Sequence, residues 1–177
     1  MPYQKVVNIP MTSLELASYE TTPTFHLTEC MVKVIDVYDA DTVRLAAPVG
    51  DSLYNFPVRL LGMDAPEIRP RGRDAQSGQL ERSAARHARK RMVELVTGTV
   101  VEKHEPKKKT RRRCAANRKL LRLVPRGFDK YGRVLAELFD GEQSINQQMI
   151  QEGYVRTYDG GARQAWDTTS LETILRL

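Results

Sequence analysis

The stretch CMVKVIDVYDADTVRLAAPV, residues 30–49, decides the fold. CMVKVIDVY has the β-branched density of a strand, and DTVRLAAPV repeats it. Between them stand Asp39 and Asp41, a residue type that strands disfavour and turns accept, because its short carboxylate can bond nearby backbone amides. The stretch is therefore expected to form a β-hairpin that turns at Asp39-Ala40.

Working outward, FPVRLLGMD (56–64) reads as a third strand, with Val58, Leu60 and Gly62 alternating against Arg59, Leu61 and Met63. Pro66 follows and biases Ala65 towards an extended backbone. The period then changes. Over residues 77–96 the apolar positions Leu80, Ala84, Ala88 and Met92 recur every four residues, and Leu95 or Val96 continues the stripe. This predicts an amphipathic helix ended by Gly98, with Glu81, Arg82, Arg86, Arg89 and Lys90 off its buried face. TVVEK (99–103) and RVLAELF (133–139) read as two more strands, the second turning at Asp140-Gly141. Ser144 can cap a short helix, INQQMIQEG, and a last helix is expected over 163–176. Five short strands and about three helices make an α+β domain, and they fit a Greek-key β-barrel of the OB type, which binds oligonucleotides on one face. The domain is expected over 29–177, preceded by an irregular extension, 1–28, that holds Pro2, Pro10 and Pro23.

The composition agrees with one folded domain: 177 residues, 41% hydrophobic and 28% charged. No apolar run approaches the about 18 to 20 residues needed to cross a bilayer, so no membrane partner is expected. The first thirty residues lack the basic start and apolar block of a secretory signal, and the expectation is an intracellular protein or a mature chain whose leader is absent. Cys30 and Cys114 have no metal-ligand spacing. The net charge of +6 is unevenly spread. From 103 to 126 there are eleven Lys and Arg against Glu105 alone, a local balance of +10 that leaves −4 on the rest. A basic block on a mildly acidic body points to a polyanionic partner, with a merely solvated loop as the plain alternative.

Chemistry-bearing residues occur in order along the chain: Asp39 and Asp41 in the hairpin, Arg59 in the third strand, Asp64 and Glu67 beyond it, and Arg133 entering the fifth. Each alone has an ordinary explanation as a turn former or an exposed strand residue. Together, the segments DADTVRL (39–45), VRLLGMDAPE (58–67) and DKYGR (129–133) resemble the staphylococcal nuclease (thermonuclease) family, whose usual patterns are D-G-D-T, R-L-x-x-x-D-x-P-E and D-x-Y-G-R. INQQMIQEGY also resembles that family's Asn-containing helix ending in Gly, so the match runs from about residue 31 to 158.

That resemblance implies a calcium-dependent endonuclease that cuts DNA and RNA with little sequence specificity and leaves 3′-phosphate and 5′-hydroxyl ends. It implies that Asp41 and Asp64 bind Ca²⁺ with the backbone carbonyl of Ala65, and that Asp39 supports the site. Carboxylates suit a hard divalent cation, and the lack of a His/Cys cluster argues against zinc. Glu67 resembles the family's general base or water-positioning group, and Arg59 and Arg133 resemble its phosphate clamps. Lys130, Tyr131 and Tyr158 would touch the nucleotide and its flanking phosphate. Single-stranded DNA and RNA are the expected partners, and a monomer is the expected state.

The sequence departs from the family pattern in three places. Ala40 replaces the turn glycine, which would cost roughly 1 kcal/mol if that position needs a positive φ. Ala65 replaces a threonine, but the implied ligand there is a main-chain carbonyl. The third departure is a long basic insertion at about 104–126 within HEPKKKTRRRCAANRKLLRLVPRGF. It reads as a solvated loop, as a nucleic-acid-gripping arm using Lys107, Lys108, Lys109, Arg111, Arg112 and Arg113, or as a nuclear-targeting signal of the PKKKTRRR kind. The rival function is a non-catalytic OB-fold module that binds nucleic acid without cutting it.

Overall fold

The computed structural model describes residues 9–177; residues 1–8, the start of the expected extension, lie outside the described residues. Residues 11–15 form a short helix, α1 (Met11–Glu15), with no buried side chain. The barrel starts with the hairpin of β1 (Cys30–Val37) and β2 (Thr42–Val49), turning at Asp39-Ala40 as the aspartates predict. The backbone does not need a glycine at that turn: among the described residues every positive φ belongs to glycine, so Ala40 is unstrained, and its methyl group is buried.

β2 runs through a tight turn at Gly50 (φ 56°) into β3 (Ser52–Leu60), a strand that begins and ends four residues earlier than the sequence expectation. Its pairing runs from Val49 opposite Ser52 to Thr42 opposite Arg59. This register determines the site, because it carries Asp41, one residue before Thr42, to Arg59. β4 (Met63–Asp64) follows Gly62, and α2 (Ala75–Thr97) is capped by Asp74, whose carboxylate accepts from the Gln76 and Ser77 amides. Gly98 ends α2 in a left-handed conformation (φ 65°).

After α2 the chain forms α3 (Lys107–Ala116), β5 (Leu121–Phe128), β6 (Val134–Asp140), β7 (Gln143–Ser144), α4 (Ile145–Gln151), β8 (Arg156–Thr157) and α5 (Thr168–Arg176). The strand order is β3-β2-β1-β5-β6. β6 then pairs in parallel with β3, Val58 opposite Val134 and Leu60 opposite Ala136, so the five-stranded mixed barrel closes on itself. The α+β, OB-like expectation is therefore met. Inward residues Val32, Val34, Leu45, Val58, Leu121, Leu123, Val134, Ala136 and Leu138 fill the barrel, and Ala88, Met92 and Val96 of α2 cover it. α5 packs Leu171 and Ile174 with Trp166 against Ala84 of α2.

Several details differ from the sequence reading. TVVEK is not a strand: Val100 is exposed, Val101 alone packs inward, and its amide donates to the Glu94 carboxylate at 3.0 Å. The fourth barrel strand is instead β5, from within the basic insertion. Its Leu121 and Leu123 point into the barrel while Arg122 pairs outside with Glu29, so the charges concealed a two-residue alternation. Among the described residues there are five helices rather than about three. The additions are α1 and α3, and α3 is a folded basic helix with Thr110 and Cys114 buried against the barrel. α5 starts at Thr168, where Asp167 caps it, rather than at 163. Finally, Glu81 and Arg89 are buried rather than solvent-facing. Arg89 donates from Nε to the Val37 carbonyl (2.9 Å), from Nη1 to the Glu105 carbonyl (2.8 Å) and from Nη2 to Thr110 Oγ1 (2.9 Å), tying β1, the α2–α3 loop and α3 together.

Candidate functional site

The β2–β3 register delivers the first pair of the site. Arg59 forms an ion pair with Asp41 Oδ2, while its Nη2 donates to the Met63 carbonyl at 3.0 Å and lies 3.8 Å from Asp64 Oδ1. Asp41 also accepts from Thr42 Oγ1 (2.9 Å) and from the Ala65 amide (3.0 Å). Asp39 accepts the Asp41 amide at 3.3 Å, an Asx-type bond that shapes the turn. Asp64 sits in β4, whose pairing with β8 puts it opposite Arg156, and Arg156 donates to Asp64 Oδ2 from Nε (3.0 Å) and Nη2 (2.8 Å).

The corner between β3 and β4 is pinned from behind. Asn146 of α4 donates to the Leu61 carbonyl (2.9 Å) and the Ala136 carbonyl (3.3 Å), while its Oδ1 accepts the Leu138 amide (3.2 Å). A buried amide with these bonds fixes the corner relative to β6. Glu67 is held through its backbone: its amide donates to Glu81 Oε1 at 3.0 Å, and Glu81 is itself paired with Arg73. The Glu67 side chain remains 41% exposed at the cleft. Arg133 follows a turn built by Asp129, which accepts the Tyr131 and Arg133 amides, both at 2.9 Å, and Arg133 Nε at 2.7 Å.

These segments enclose one cleft of about 750 Å³, lined by Asp39, Asp41, Arg59, Asp64, Glu67, Lys130, Tyr131, Arg133 and Tyr158 together with Thr42, Asp129 and Arg163. Of the residues that the sequence offered for catalysis, cation binding or nucleotide contact, all but Ala65 and the α3 cations line this cleft. Ala65 is buried behind its wall. α3 lies outside the cleft. There, Lys109 and Arg113 pair with buried Glu105, Arg111 pairs with Asp36, and Lys107 lies over the Tyr38 ring.

Arg163 is the principal residue that the sequence reading missed. Its Nε is 2.6 Å from Asp64 Oδ1, its Nη2 donates to the Ala65 carbonyl at 2.6 Å, and its Nη1 pairs with Glu67. The only local signal was the Gly160-Gly161 pair that precedes it in the loop after Tyr158. Arg156 was missed as well, because its partner lies across a two-residue strand pairing.

The electrostatics follow from burial and this mixture of charges. Burial pushes the Asp39 carboxyl up to about 6; Arg59 opposes that shift, and Glu67 adds to it. Burial also pulls the Arg59 guanidinium below its usual value, against the attraction of Asp39 and Asp64. Arg163 is shifted the other way: burial alone would lower it, but Asp64 and Glu67 raise it further.

The donor chemistry fits a hard cation. Asp64 Oδ1 is buried and faces the Arg163 and Arg59 guanidinium groups, and the same two arginines also bind the Ala65 carbonyl and Asp41, so oxygens suited to such a cation are gathered around them. Among the described residues no group of three or more acidic, His or Cys side chains stands close enough to hold an ion unaided. Guanidinium groups occupy the space instead, and a cation that takes the Ala65 carbonyl displaces Arg163 from it.

Residues 57–174 match the family model described as staphylococcal nuclease homologue. The matched span contains Arg59, Asp64, Glu67 and Arg133 but begins after the turn that carries Asp39 and Asp41. No curated protein matches the chain.

Proposed function

The chain belongs to the family of staphylococcal nuclease homologues, and we propose on that premise that it is a Ca²⁺-dependent endonuclease. On this reading it hydrolyses single-stranded DNA and RNA without sequence specificity and leaves 3′-phosphate ends. The observation that carries it is the convergence on one cleft of three carboxylates (Asp39, Asp41, Asp64), a separate exposed carboxylate (Glu67) and two arginines from distant segments (Arg59, Arg133).

A phosphodiester resists water because of its own negative charge, so the site must neutralise that charge and aim the attack. Arg59 and Arg133 would bind its non-bridging oxygens through their planar forks. Arg133 is 32% exposed and reaches a phosphate by leaving Asp129. Glu67 orients the attacking water and accepts its proton as the water oxygen bonds to phosphorus and the bond to the 5′-oxygen breaks. The departing 5′-oxygen takes a proton from solvent water and leaves as a hydroxyl, and the phosphate remains on the 3′ side. Lys130, Tyr131 and Tyr158 at the cleft wall position the flanking nucleotide. Asp41, Asp64 and the Ala65 carbonyl would hold the Ca²⁺, with Asp39 beside them, and the ion would supply further charge neutralisation at the phosphate.

The test is incubation of the chain with single-stranded DNA and with RNA, in Ca²⁺ or in chelator. Calcium-dependent cleavage to 3′-phosphate ends is expected. Binding without cleavage in either metal condition overturns the enzyme reading and leaves a nucleic-acid-binding module.

A further inference from the structure

A second groove of about 480 Å³ opens beside the reaction cleft and shares Thr42, Tyr131 and Arg133 with it. Its other lining residues are Tyr38, Val43, Arg44 and Pro57, and no carboxylate is among them, in contrast to the acid-rich cleft next door. Both tyrosines are open to solvent, Tyr38 at 39% and Tyr131 at 72%. Each also carries a cation: Lys107 Nζ is 4.2 Å from the Tyr38 ring centre, and Arg133 Cζ is 5.6 Å from that of Tyr131. Arg44 is exposed on β2, lines the same groove and donates from Nη1 to Asn55 Oδ1 at 3.3 Å.

We propose that this groove is an extended binding track for single-stranded nucleic acid, leading the strand from the cleft across Tyr131, Arg44 and Tyr38 onto the first turn of α3. Exposed aromatic rings that alternate with cations are what an unpaired strand needs: a surface for each base to stack on, and a charge for each phosphate. α3 divides its own charges accordingly. Lys109 and Arg113 turn away to neutralise buried Glu105, while Lys107, through Tyr38, faces the groove. The basic run therefore contributes its leading residues to the track rather than acting as a diffuse charge. The proposal rests on the reading of the cleft as a nucleic-acid site, and it adds that affinity grows with strand length on this side of the cleft.

The test uses the full chain carrying Glu67→Gln, in Ca²⁺, with fluorescent oligodeoxythymidylates of two and twelve nucleotides. Tyr38→Ala and the pair Arg44→Gln/Lys107→Gln should each weaken the twelve-nucleotide probe roughly tenfold while leaving the dinucleotide within about twofold. The Arg44/Lys107 pair should also flatten the dependence of log affinity on log salt by about 1.4, or about 0.7 for each lost phosphate contact. The charge-matched pair Arg118→Gln/Arg176→Gln, on exposed sites away from the groove, should change neither. Undiminished affinity for the long probe in the track variants overturns the proposal. So does an equal loss in the control pair, which would mean that only net charge matters. Cleavage by the unsubstituted chain is measured separately: a chain that binds through the track without cutting sinks the nuclease reading alone, and a chain that cuts with full affinity in the track variants sinks the track alone.

Discussion

Arg163 Nε stands 2.6 Å from Asp64 Oδ1, a buried carboxylate oxygen. The same guanidinium also bonds the Ala65 carbonyl and pairs with Glu67, so a protein cation spans the groups assigned to Ca²⁺ and to the water. Arg163→Gln should therefore tighten Ca²⁺ about tenfold by calorimetry without nucleic acid, because a competing charge is gone. The metal-free variant should melt lower than the wild type and gain more from Ca²⁺. An unchanged Ca²⁺ affinity would mean that the ion binds elsewhere.

The two clamping arginines should separate in their effect on stability. Arg133 is part-exposed and pairs only with neighbouring Asp129, so Arg133→Ala should cost less than about 1 kcal/mol. Arg59 answers Asp41, which is 3% exposed, so Arg59→Ala should cost about 3 kcal/mol. Urea titration checks both values. Turnover should fall by about 10² or more for Arg133→Ala and for Glu67→Gln, whose folds should persist.

Asp39 sets a pH dependence in the metal-free chain. Burial raises its folded pKa to about 6 from the ordinary carboxylate value of 3.8, so the folded state binds this proton more tightly than the unfolded one. The contribution is fully present below pH 3.8 and is lost as pH rises through 6. Asp39→Asn should remove that loss. Denaturation in chelator between pH 4 and pH 7 should therefore show the variant gaining on the wild type as pH rises, and parallel curves would refute the assignment.

The turn at Ala40 gives a prediction of opposite sign to the one the sequence invites. If the family's glycine were needed there, Ala40→Gly would relieve strain. Since the φ of Ala40 is not positive and its methyl is buried, the change should destabilise by about 1 kcal/mol through chain entropy and lost contact.

Arg89 should prove to be the anchor of α3. Arg89→Met removes three buried hydrogen bonds and leaves the Val37 and Glu105 carbonyls without that partner, costing about 3 kcal/mol. Hydrogen exchange should accelerate first in 107–116, ahead of the barrel strands.

What could be read from the sequence followed the range of its interactions. The Asp39–Asp41 turn and the Arg59 strand are local devices, and their residues sit within a few positions of the backbone they shape, so a linear reading found them. The buried role of Arg89 was invisible because its three acceptors come from three separate segments, and helical periodicity placed its charge outside. β5 was missed for a related reason. Arg122 and Arg126 on its outer face made a strand resemble the end of a charged loop, although Leu121 and Leu123 kept the two-residue period inward. Arg163 owes its place to a loop that folds back over β4, a path that no pattern in the flanking residues encodes.

The parallel pairing of β3 with β6 has a consequence for the order in which the chain becomes active. Arg59 and Arg133 are brought to one cleft by a contact between segments far apart in sequence, with α2, α3 and β5 lying between them along the chain. Contacts of such separation form late, because a large loop must close before they repay its entropy. On the proposed function, a chain synthesised only as far as β5 still lacks Arg133, and a partly unfolded chain carries both arginines yet cannot bring them to one phosphate.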